Sequence, residues 1–200
     1  MRNAFGANIA GTGSYLPQRR LTNDDLAKMV DTSDDWIMQR TGIRERRIAA
    51  EGESTAVLAA NAARQAIEAA GLQPRDIEMI ICATVTPEMV FPSTACFVGA
   101  ELGLAAVPAF DVSAACSGFL YAMVTGANFI KSGMYRNVVV IGAETLSRIT
   151  DYTDRTSCIL FGDGAGAVVL SRTEEEGKGM IYASLHADGS GSDFLKCMPG

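Results

Sequence analysis

The chain has 200 residues, of which 48% are hydrophobic, 7% aromatic and 20% charged. This composition is too apolar for a disordered protein and predicts one substantial folded core. Seventeen Lys and Arg residues against 23 Asp and Glu residues give a formal charge of −6, which argues against sequence-independent binding to nucleic acid. No apolar run reaches the ~20 residues of a membrane span, and the start lacks the apolar block of a signal peptide. We therefore expect a soluble, cytoplasmic protein.

The first half of the chain alternates strand-like and helix-like segments. A strand is predicted over 9–15, and Asn23 and Ser33 are candidate caps of two short helices, the second ending at Gly42. An alanine-rich helix is predicted over 54–70, followed by a continuous apolar strand over 79–85 of the kind that is covered on both faces. The order indicates β–α–β units.

The second half continues this alternation and predicts an α/β layered domain. In chain order we expect a helix from Ser93 to Leu102, strand 108–112, helix 117–132, strand 138–143, and a hairpin formed by 158–161 and 165–171 around the turn 162–164. The acidic stretch 173–179 is a predicted surface linker, and 180–186 a further strand. Residues 1–172 are therefore expected to form one unit, and 173–200 a linker with the first strand of an incomplete second unit.

Five cysteines and one histidine limit the chemistry that the chain can perform. The cysteines stand at 82, 96, 116, 158 and 197 with no C-x-x-C pair, and we expect reduced thiols. Cys82 and Cys96 fall among apolar residues and are predicted to be core thiols. A single histidine, His186, leaves too few nitrogen ligands for most zinc sites, so no metal site is predicted.

The most informative segment is DVSAACSGF (111–119), where a short strand turns into a long helix through small residues. A cysteine at this turn lies at the positive end of the helix dipole, beside unpaired backbone N–H groups that favour the thiolate. Ala114, Ala115 and Gly118 leave room for a substrate, and the N–H of Cys116 can donate to a developing oxyanion. Cys116 is thus a candidate nucleophile. The alternative is a small buried core thiol.

A second candidate site combines arginines at 40, 44, 46 and 47 with Trp36, the only tryptophan. An indole face and guanidinium groups suit a nucleotide base and its phosphates. The alternative is a solvated basic face with Trp36 packed inward. The residues themselves leave both interpretations open.

Two glycine-rich runs and the histidine are predicted to be structural. Pro17 follows soon after the run 11–13, and a predicted strand follows the run 162–166. Neither run therefore precedes the helix that a dinucleotide-binding loop requires. Tight turns and close backbone approach are the expected roles of these glycines. His186 ends a predicted strand, and nothing in the sequence pairs it with Cys116.

Six segments in order carry a resemblance over essentially the whole chain. They are GTGSYLP near the start, DTSDDWIMQRTGIRERRIA (31–49), FPSTAC (91–96), DVSAACSGF (111–119), FGDGAGAVVL (161–170) and LHADGS (185–190). Together they resemble the β-ketoacyl-acyl-carrier-protein synthase III family, the initiating condensing enzymes of bacterial fatty-acid synthesis. The resemblance implies an α/β thiolase-like fold with layers α-β-α-β-α, of which this chain covers the N-terminal half and the start of the C-terminal half, and a homodimer.

The same resemblance implies an acyltransferase reaction with Cys116 as its nucleophile. The thiolate takes an acyl group from acetyl-CoA or a related thioester, and the acyl-enzyme then condenses with malonyl-acyl-carrier protein with loss of CO₂. Dividing acyl transfer from C–C bond formation is the advantage of covalent catalysis. Both thioesters are substrates, so no cofactor is implied, and the implied partners are acyl-CoA and acyl carrier protein, with no nucleic acid and no membrane.

Five further residues take roles by resemblance. Thr32, Trp36, Arg40 and Arg155 match positions that bind CoA, with Trp36 and Arg40 at the adenine. Phe91 matches a residue that reaches across the dimer interface toward the partner's acyl pocket. The arginines beside Trp36 are also expected to steer an acidic carrier protein.

The family's decarboxylation machinery is not found in these 200 residues. Family members use a histidine, an asparagine and a late glycine from the second half of the fold, whereas His186 aligns with the LHADG segment. We therefore expect this chain to be the N-terminal portion of a longer enzyme that, alone, does not elongate malonyl-carrier protein. We also expect it to fold poorly, because a buried sheet and the apolar helix after Cys116 lack their partner half.

Three alternatives stay open at this point. The first keeps the fold and changes the chemistry to a starter-unit ketosynthase or acyltransferase of a polyketide pathway, or to priming with longer or branched acyl-CoA. The second is a non-catalytic partner or inactive fragment, against which the retained Cys116 speaks. The third is a cysteine thioesterase of the α/β-hydrolase type, which needs an acid and a histidine downstream of the nucleophile.

Overall fold

The computed structural model describes residues 5–175 and 177–197. Within them, a five-stranded sheet carries helices on both faces, and a two-stranded sheet lies beside it. The strands are β1 (Gly6–Tyr15), β2 (Arg19–Thr22), β3 (Glu45–Ile48), β4 (Met79–Ala83), β5 (Ala109–Val112), β6 (Asn137–Thr145) and β7 (Asp163–Thr173). The α-helices are α1 (Asn23–Leu26), α2 (Asp34–Thr41), α3 (Thr55–Ala69), α4 (Thr94–Glu101) and α5 (Gly118–Lys131).

The large sheet is mixed, with the order β1-β7-β6-β4-β5. Strand β4 pairs in parallel with β5 and β6, and β7 pairs antiparallel with β6 and β1. Helices α4 and α5 make the crossover connections that parallel strands require. The carboxyl ends of β4, β5 and β6 consequently share one edge of the sheet, which is where α/β proteins place their ligands.

Strand β4 lies at the centre of two hydrophobic cores. All five of its residues are buried, and they alternate between the faces as a strand must. Ile80 and Cys82 pack in the core beneath α3 and α4, whereas Ile81 and Ala83 pack in the core beneath α5. The prediction of a strand covered on both faces is confirmed.

Glycines in β1 allow α3 to lie directly on the strand backbone. A Cβ atom on Gly11 or Gly13 would overlap backbone atoms of α3, among them the carbonyl oxygens of Ala66 and Ala62. The facing alanines of α3 are completely buried. The alanine-rich helix and the 11–13 glycine run are therefore two sides of one close contact, and the predicted structural role of these glycines is confirmed.

The two-stranded sheet, β2 with β3, supports α1 and α2 on a small third core. This core also receives Cys158 and Ile159 from the segment before β7. Asn23 does not cap α1 as predicted. The Thr22 hydroxyl accepts from Asp25 N at 3.2 Å, and the Thr22 N–H donates to the Asp25 carboxylate, which completes a capping box.

Two predicted strands are wrong. Residues 158–160 form turns and residue 161 has no regular secondary structure, and β7 begins at Asp163 and inserts between β1 and β6 without forming a hairpin with that segment. Residues 180–186 have no regular secondary structure. Met180 N donates to Ala7 O at 2.8 Å, but the residues that follow, such as Ile181 at 81% exposure, pair with no strand among residues 5–175 and 177–197. The division of the chain into units 1–172 and 173–200 stays a prediction. These two units include residues 1–4, 176 and 198–200, which lie outside the described part.

Candidate active site

Cys116 lies in a 3₁₀ turn, Ala115–Ser117, that joins the carboxyl end of β5 to the N-terminus of α5. Ala115 has a φ of +44°, a left-handed conformation that costs a non-glycine residue about 1–2 kcal/mol. Strain of this kind concentrates at functional sites. The Cys116 side chain is exposed, so its interpretation as a buried core thiol is wrong.

The other cysteines differ from Cys116 in their environment. Cys82 and Cys158 are buried, and burial raises the pKa of both thiols. Cys96 is exposed, which corrects its prediction as a core thiol, and its sulfur accepts a hydrogen bond from the Ser93 hydroxyl at 3.2 Å. Cys197 is also exposed. Cys116 is the exposed thiol that stands at a helix N-terminus in a strained turn.

Gly118 has a different role from the one predicted. It is buried, and a Cβ atom at this position would lie 3.2 Å from the Cβ of Ala83. The missing side chain therefore lets the first turn of α5 approach β4 closely. It does not leave space for a substrate.

Half-buried carboxylates fix the elements around Cys116. Asp111, in β5, accepts hydrogen bonds from the backbone N–H groups of Thr94 at 2.7 Å and Ala95 at 2.8 Å and so caps α4. Ser93, the predicted cap, makes no capping hydrogen bond. Glu88 accepts from the Thr94 hydroxyl at 2.9 Å and from Ala56 N at the start of α3. Negative charge at helix N-termini is favourable, so both helices are held at the sheet edge beside the nucleophile turn.

A third carboxylate holds the loop that follows β4. Glu144, near the end of β6, accepts from Val85 N at 2.9 Å and from the hydroxyls of Thr84 and Thr86 at 3.3 and 2.5 Å. Sequence reasoning missed Asp111, Glu88 and Glu144. The available signal is that acidic residues occur at or just after the ends of apolar strands, where the loop N–H groups need acceptors.

Trp36 forms the centre of a second arrangement. The Ser33 hydroxyl accepts from Trp36 N at 3.2 Å, and Gly42 ends α2 with a φ of +71°, as predicted. The guanidinium carbons of Arg40 and Arg155 lie 4.1 and 4.5 Å from the indole centroid, within the range of cation–π contact. The structure therefore brings together three residues that were assigned to one site, with Arg155 coming from a distant part of the sequence.

Thr32 adds an unsatisfied polar atom next to this arrangement. Its hydroxyl oxygen is buried and has no hydrogen-bond partner among the described residues. Such an atom usually costs about 1–3 kcal/mol. Its sequence neighbour Asp31 pairs with Arg155 at 3.3 Å, so the segment that carries Thr32 also contacts the guanidinium on the indole. We call Thr32, Trp36, Arg40 and Arg155 the indole cluster.

The arginines after Trp36 do not form one solvated patch. Arg44 is exposed, but the Arg47 guanidinium donates to Pro17 O at 2.9 Å, and Arg46 is only 4% exposed. Burial lowers the pKa of Arg46. The expectation that Arg46 steers a carrier protein is therefore wrong. Period-two alternation could have revealed it, because Arg46 shares a strand face with Ile48, which is also buried.

The remaining predicted residues lie apart from these two arrangements. Phe91 stands on the loop between β4 and α4 and is 81% exposed, and its role at a dimer interface stays a prediction. His186 is exposed and shares a 2.6 Å hydrogen bond with the Ser184 hydroxyl. In the part of the chain that is described, no cluster of three or more His, Cys, Asp or Glu side chains could hold a metal ion, and no helix is long and apolar enough to cross a membrane.

A mixed sheet with helices on both faces and an exposed cysteine at the β5–α5 turn define an α/β protein, and its similarity to solved condensing enzymes with the thiolase-like fold confirms the predicted fold class. The family model for 3-oxoacyl-[acyl-carrier-protein] synthase III matches residues 110–189. A β-ketoacyl-[acyl-carrier-protein] synthase III from Laribacter hongkongensis is 60% identical over 191 residues, covering 96% of this chain and 59% of the relative. The chain is similar to β-ketoacyl-[acyl-carrier-protein] synthase III enzymes over almost its whole length and spans about 59% of the length of the curated relatives that it matches.

Two solved structures extend the comparison to three dimensions. The 3-oxoacyl-[acyl-carrier-protein] synthase III from Aquifex aeolicus is 57% identical with a TM-score of 0.83, over 86% of this chain and 55% of that one. The priming β-ketosynthase of the R1128 polyketide pathway is 36% identical with a TM-score of 0.84, over 88% of this chain and 52% of that one. Both structures thus share the backbone of this chain, while sequence identity is higher to the Aquifex enzyme.

Proposed function

We propose that Cys116 accepts an acyl group from acetyl-CoA or a related acyl-CoA, as the first step of a β-ketoacyl-acyl-carrier-protein synthase III reaction. The observation that carries this proposal is the exposed Cys116 in a strained turn at the carboxyl edge of the sheet and the N-terminus of α5. The thiolate attacks the thioester carbonyl, the bond between carbonyl carbon and CoA sulfur breaks, and the departing CoA thiolate takes up a proton. The backbone N–H of Cys116 is the proposed donor to the transient oxyanion.

The second step forms the carbon–carbon bond. Malonyl-acyl-carrier protein loses CO₂, its α-carbon attacks the acyl carbonyl on Cys116, and the Cys116 thiolate leaves as the β-ketoacyl product forms. The groups expected to polarise the malonyl thioester are not assigned among these 200 residues, which span about 59% of the relative's length. This chain supplies the nucleophile and, in our proposal, the entrance for the first substrate.

The indole cluster is the proposed binding site for the adenine nucleotide of CoA. The indole face offers stacking to the base, and Arg40 and Arg155 offer charge to its phosphates. Thr32 belongs to the proposed site by resemblance, and its buried hydroxyl lacks a partner among the described residues. Because both guanidinium groups contact the indole, a base that stacks there competes with them for the ring.

The wider assignments follow from similarity to these enzymes and are proposals for this chain. We expect acyl carrier protein as the partner, a homodimer to which Phe91 contributes, a cytoplasmic location and no cofactor beyond the two thioester substrates. A polyketide starter-unit ketosynthase is less well supported, because identity is 36% to the priming ketosynthase against 57% to the Aquifex synthase III.

Acyl transfer to a defined thiol tests the proposal directly. The protein is incubated with acetyl-CoA, and the acetylated peptide is located by mass spectrometry. We expect one acetyl group, carried as a thioester on Cys116 and absent from Cys116→Ala. Cys96→Ala is the matched control because Cys96 is also exposed and its loss should leave the label unchanged. Equal labelling of Cys96 and Cys116, or no labelling, would contradict the proposal.

A further inference from the structure

Arg46 is a buried charged residue that the proposed chemistry does not use. Its Nε donates to the carbonyl oxygen of Ile159 at 2.9 Å, and its Nη2 donates to the same oxygen. Its Nη1 donates to the side-chain oxygen of Asn23 at 2.5 Å. Both acceptors are neutral, so these bonds fix the position of the guanidinium and do not form an ion pair.

Asn23, which accepts a hydrogen bond from Arg46, also donates hydrogen bonds to residues at both ends of α2. It is 1% exposed, and its amide nitrogen donates to the Asp34 carboxylate at 2.7 Å and to Ile43 O at 2.8 Å. Asp34 is the first residue of α2, and Ile43 lies just after its last. The helix that carries Trp36 and Arg40 is therefore held at its start and its end by one side chain.

The other end of the connection reaches the segment that carries Arg155. Residues 154–158 form a compact turn, in which Cys158 N donates to Asp154 O at 3.0 Å and Thr156 N donates to the Asp154 carboxylate at 2.9 Å. Ile159, the acceptor for Arg46, follows this turn directly. The Arg46–Asn23 pair thus joins the two segments whose side chains meet on the indole.

We propose that Arg46, acting through Asn23, is a positioning residue that sets the spacing between Trp36 and Arg155 and thereby the affinity for the nucleotide of acyl-CoA. This inference rests on the proposed function of the indole cluster. A residue needed only to fill the small core could be apolar, because replacing a buried charge by a well-packed hydrophobic residue is often neutral or stabilising. The guanidinium instead offers a rigid planar fork that bonds a carbonyl and an amide in fixed directions.

Trp36 provides the measurement because it is the only tryptophan in the chain, so fluorescence excited selectively at tryptophan, away from the tyrosine absorption, reports on the indole cluster. CoA is titrated into wild type, Arg46→Lys and Asn23→Ser. Lysine keeps the charge but loses the fork, and serine at 23 shortens the bridge to α2. Arg20→Lys is the matched control, since Arg20 lies on the paired strand β2 with an exposed side chain. We expect Kd for CoA to rise about tenfold in both test variants and to stay within about twofold in the control.

A second donor distinguishes positioning from general stability. S-acetyl-N-acetylcysteamine carries the acetyl thioester without the nucleotide, so its rate of Cys116 acetylation should be unchanged in folded Arg46→Lys and Asn23→Ser. Wild-type affinity for CoA in both variants, or equal losses with both donors, overturns the inference. If neither variant folds, the pair supports the whole domain and its specific assignment to the indole cluster fails. If wild type shows no fluorescence response to CoA, the proposed function fails instead.

Discussion

Replacing Gly13 by alanine should destabilise the fold strongly, because β1 and α3 touch through their backbones at this position. The added Cβ would lie 2.7 Å from the Gln65 Cβ and still closer to the carbonyl oxygen of Ala62. Real Cβ atoms essentially never approach other heavy atoms within 3.0 Å, so strand and helix must separate. Neither neighbour can swing aside, since one is a helix backbone and the other is the first carbon of a side chain.

The size of the effect follows from packing. Overpacking a core costs about 1–3 kcal/mol, and a rigid helix backbone as the obstacle places Gly13→Ala near the upper end. The same substitution lowers the conformational entropy of the unfolded chain, which offsets about 0.4–1 kcal/mol of this loss in stability. The net loss of about 2 kcal/mol corresponds to a fall in Tm of about 4–8 °C for a domain of this size.

Gly166→Ala is the matched control. Gly166 lies in β7 opposite Ser14, and its Cβ would meet nothing within 4 Å. Because nothing obstructs this Cβ, the only expected effect is the lower conformational entropy of the unfolded chain, so Tm should stay constant or rise slightly. Thermal unfolding followed by far-UV circular dichroism compares both variants with wild type. A Gly13→Ala protein that melts with wild type, or a Gly166→Ala protein that melts lower than Gly13→Ala, would refute the packing argument.

Three further predictions address the carboxylates and the indole. Asp111→Asn should remove one charged acceptor from the start of α4 and lower the free energy of unfolding by about 1–3 kcal/mol; an unchanged midpoint in urea would contradict the capping role. The pKa of Asp154 is lowered to about 2 by the hydroxyl of Ser157 and that of a neighbouring threonine, so its stabilising contribution is present above the unfolded pKa of about 3.9 and is lost as pH falls toward 2. Ser157→Ala should raise this pKa in an NMR titration, and a midpoint that remains near 2 counts against the assignment. Arg155→Ala should make Trp36 more accessible to acrylamide quenching, and unchanged quenching would show that the guanidinium does not cover the ring.

Much of the fold could be predicted because local rules act within a few residues. The Ser33 cap, the left-handed Gly42, the alanine-rich α3 and the apolar β4 each depend on neighbours in sequence. The same is true of Cys116, whose position after a strand and before a helix needs no distant contact. Residue patterns therefore make Cys116 a candidate nucleophile, and the exposure of its side chain in the structure removes the alternative of a buried core thiol.

The predicted hairpin shows where local rules mislead. Gly162, Asp163 and Gly164 have the composition of a hairpin turn, but the Asp163 carboxylate accepts from Ala49 N at 2.7 Å and Ser147 N at 2.9 Å. These distant donors draw Asp163 into the start of β7. An apolar strand looks alike in a hairpin and in the middle of a sheet, so its pairing partners cannot be read from its own residues.

The sequence by itself determined the fold class, most helices and strands, and the candidate nucleophile Cys116, because periodicity and capping are short-range properties. Only the tertiary structure decided which polar residues are buried and what they hold. Arg46 has the sequence context of a basic surface, but it is buried, and its bonds to Asn23 and Ile159 join the segments that carry Trp36 and Arg155. The partners of a buried charge are chosen by the packing of distant segments, since desolvation must be offset by whichever acceptors the fold brings close.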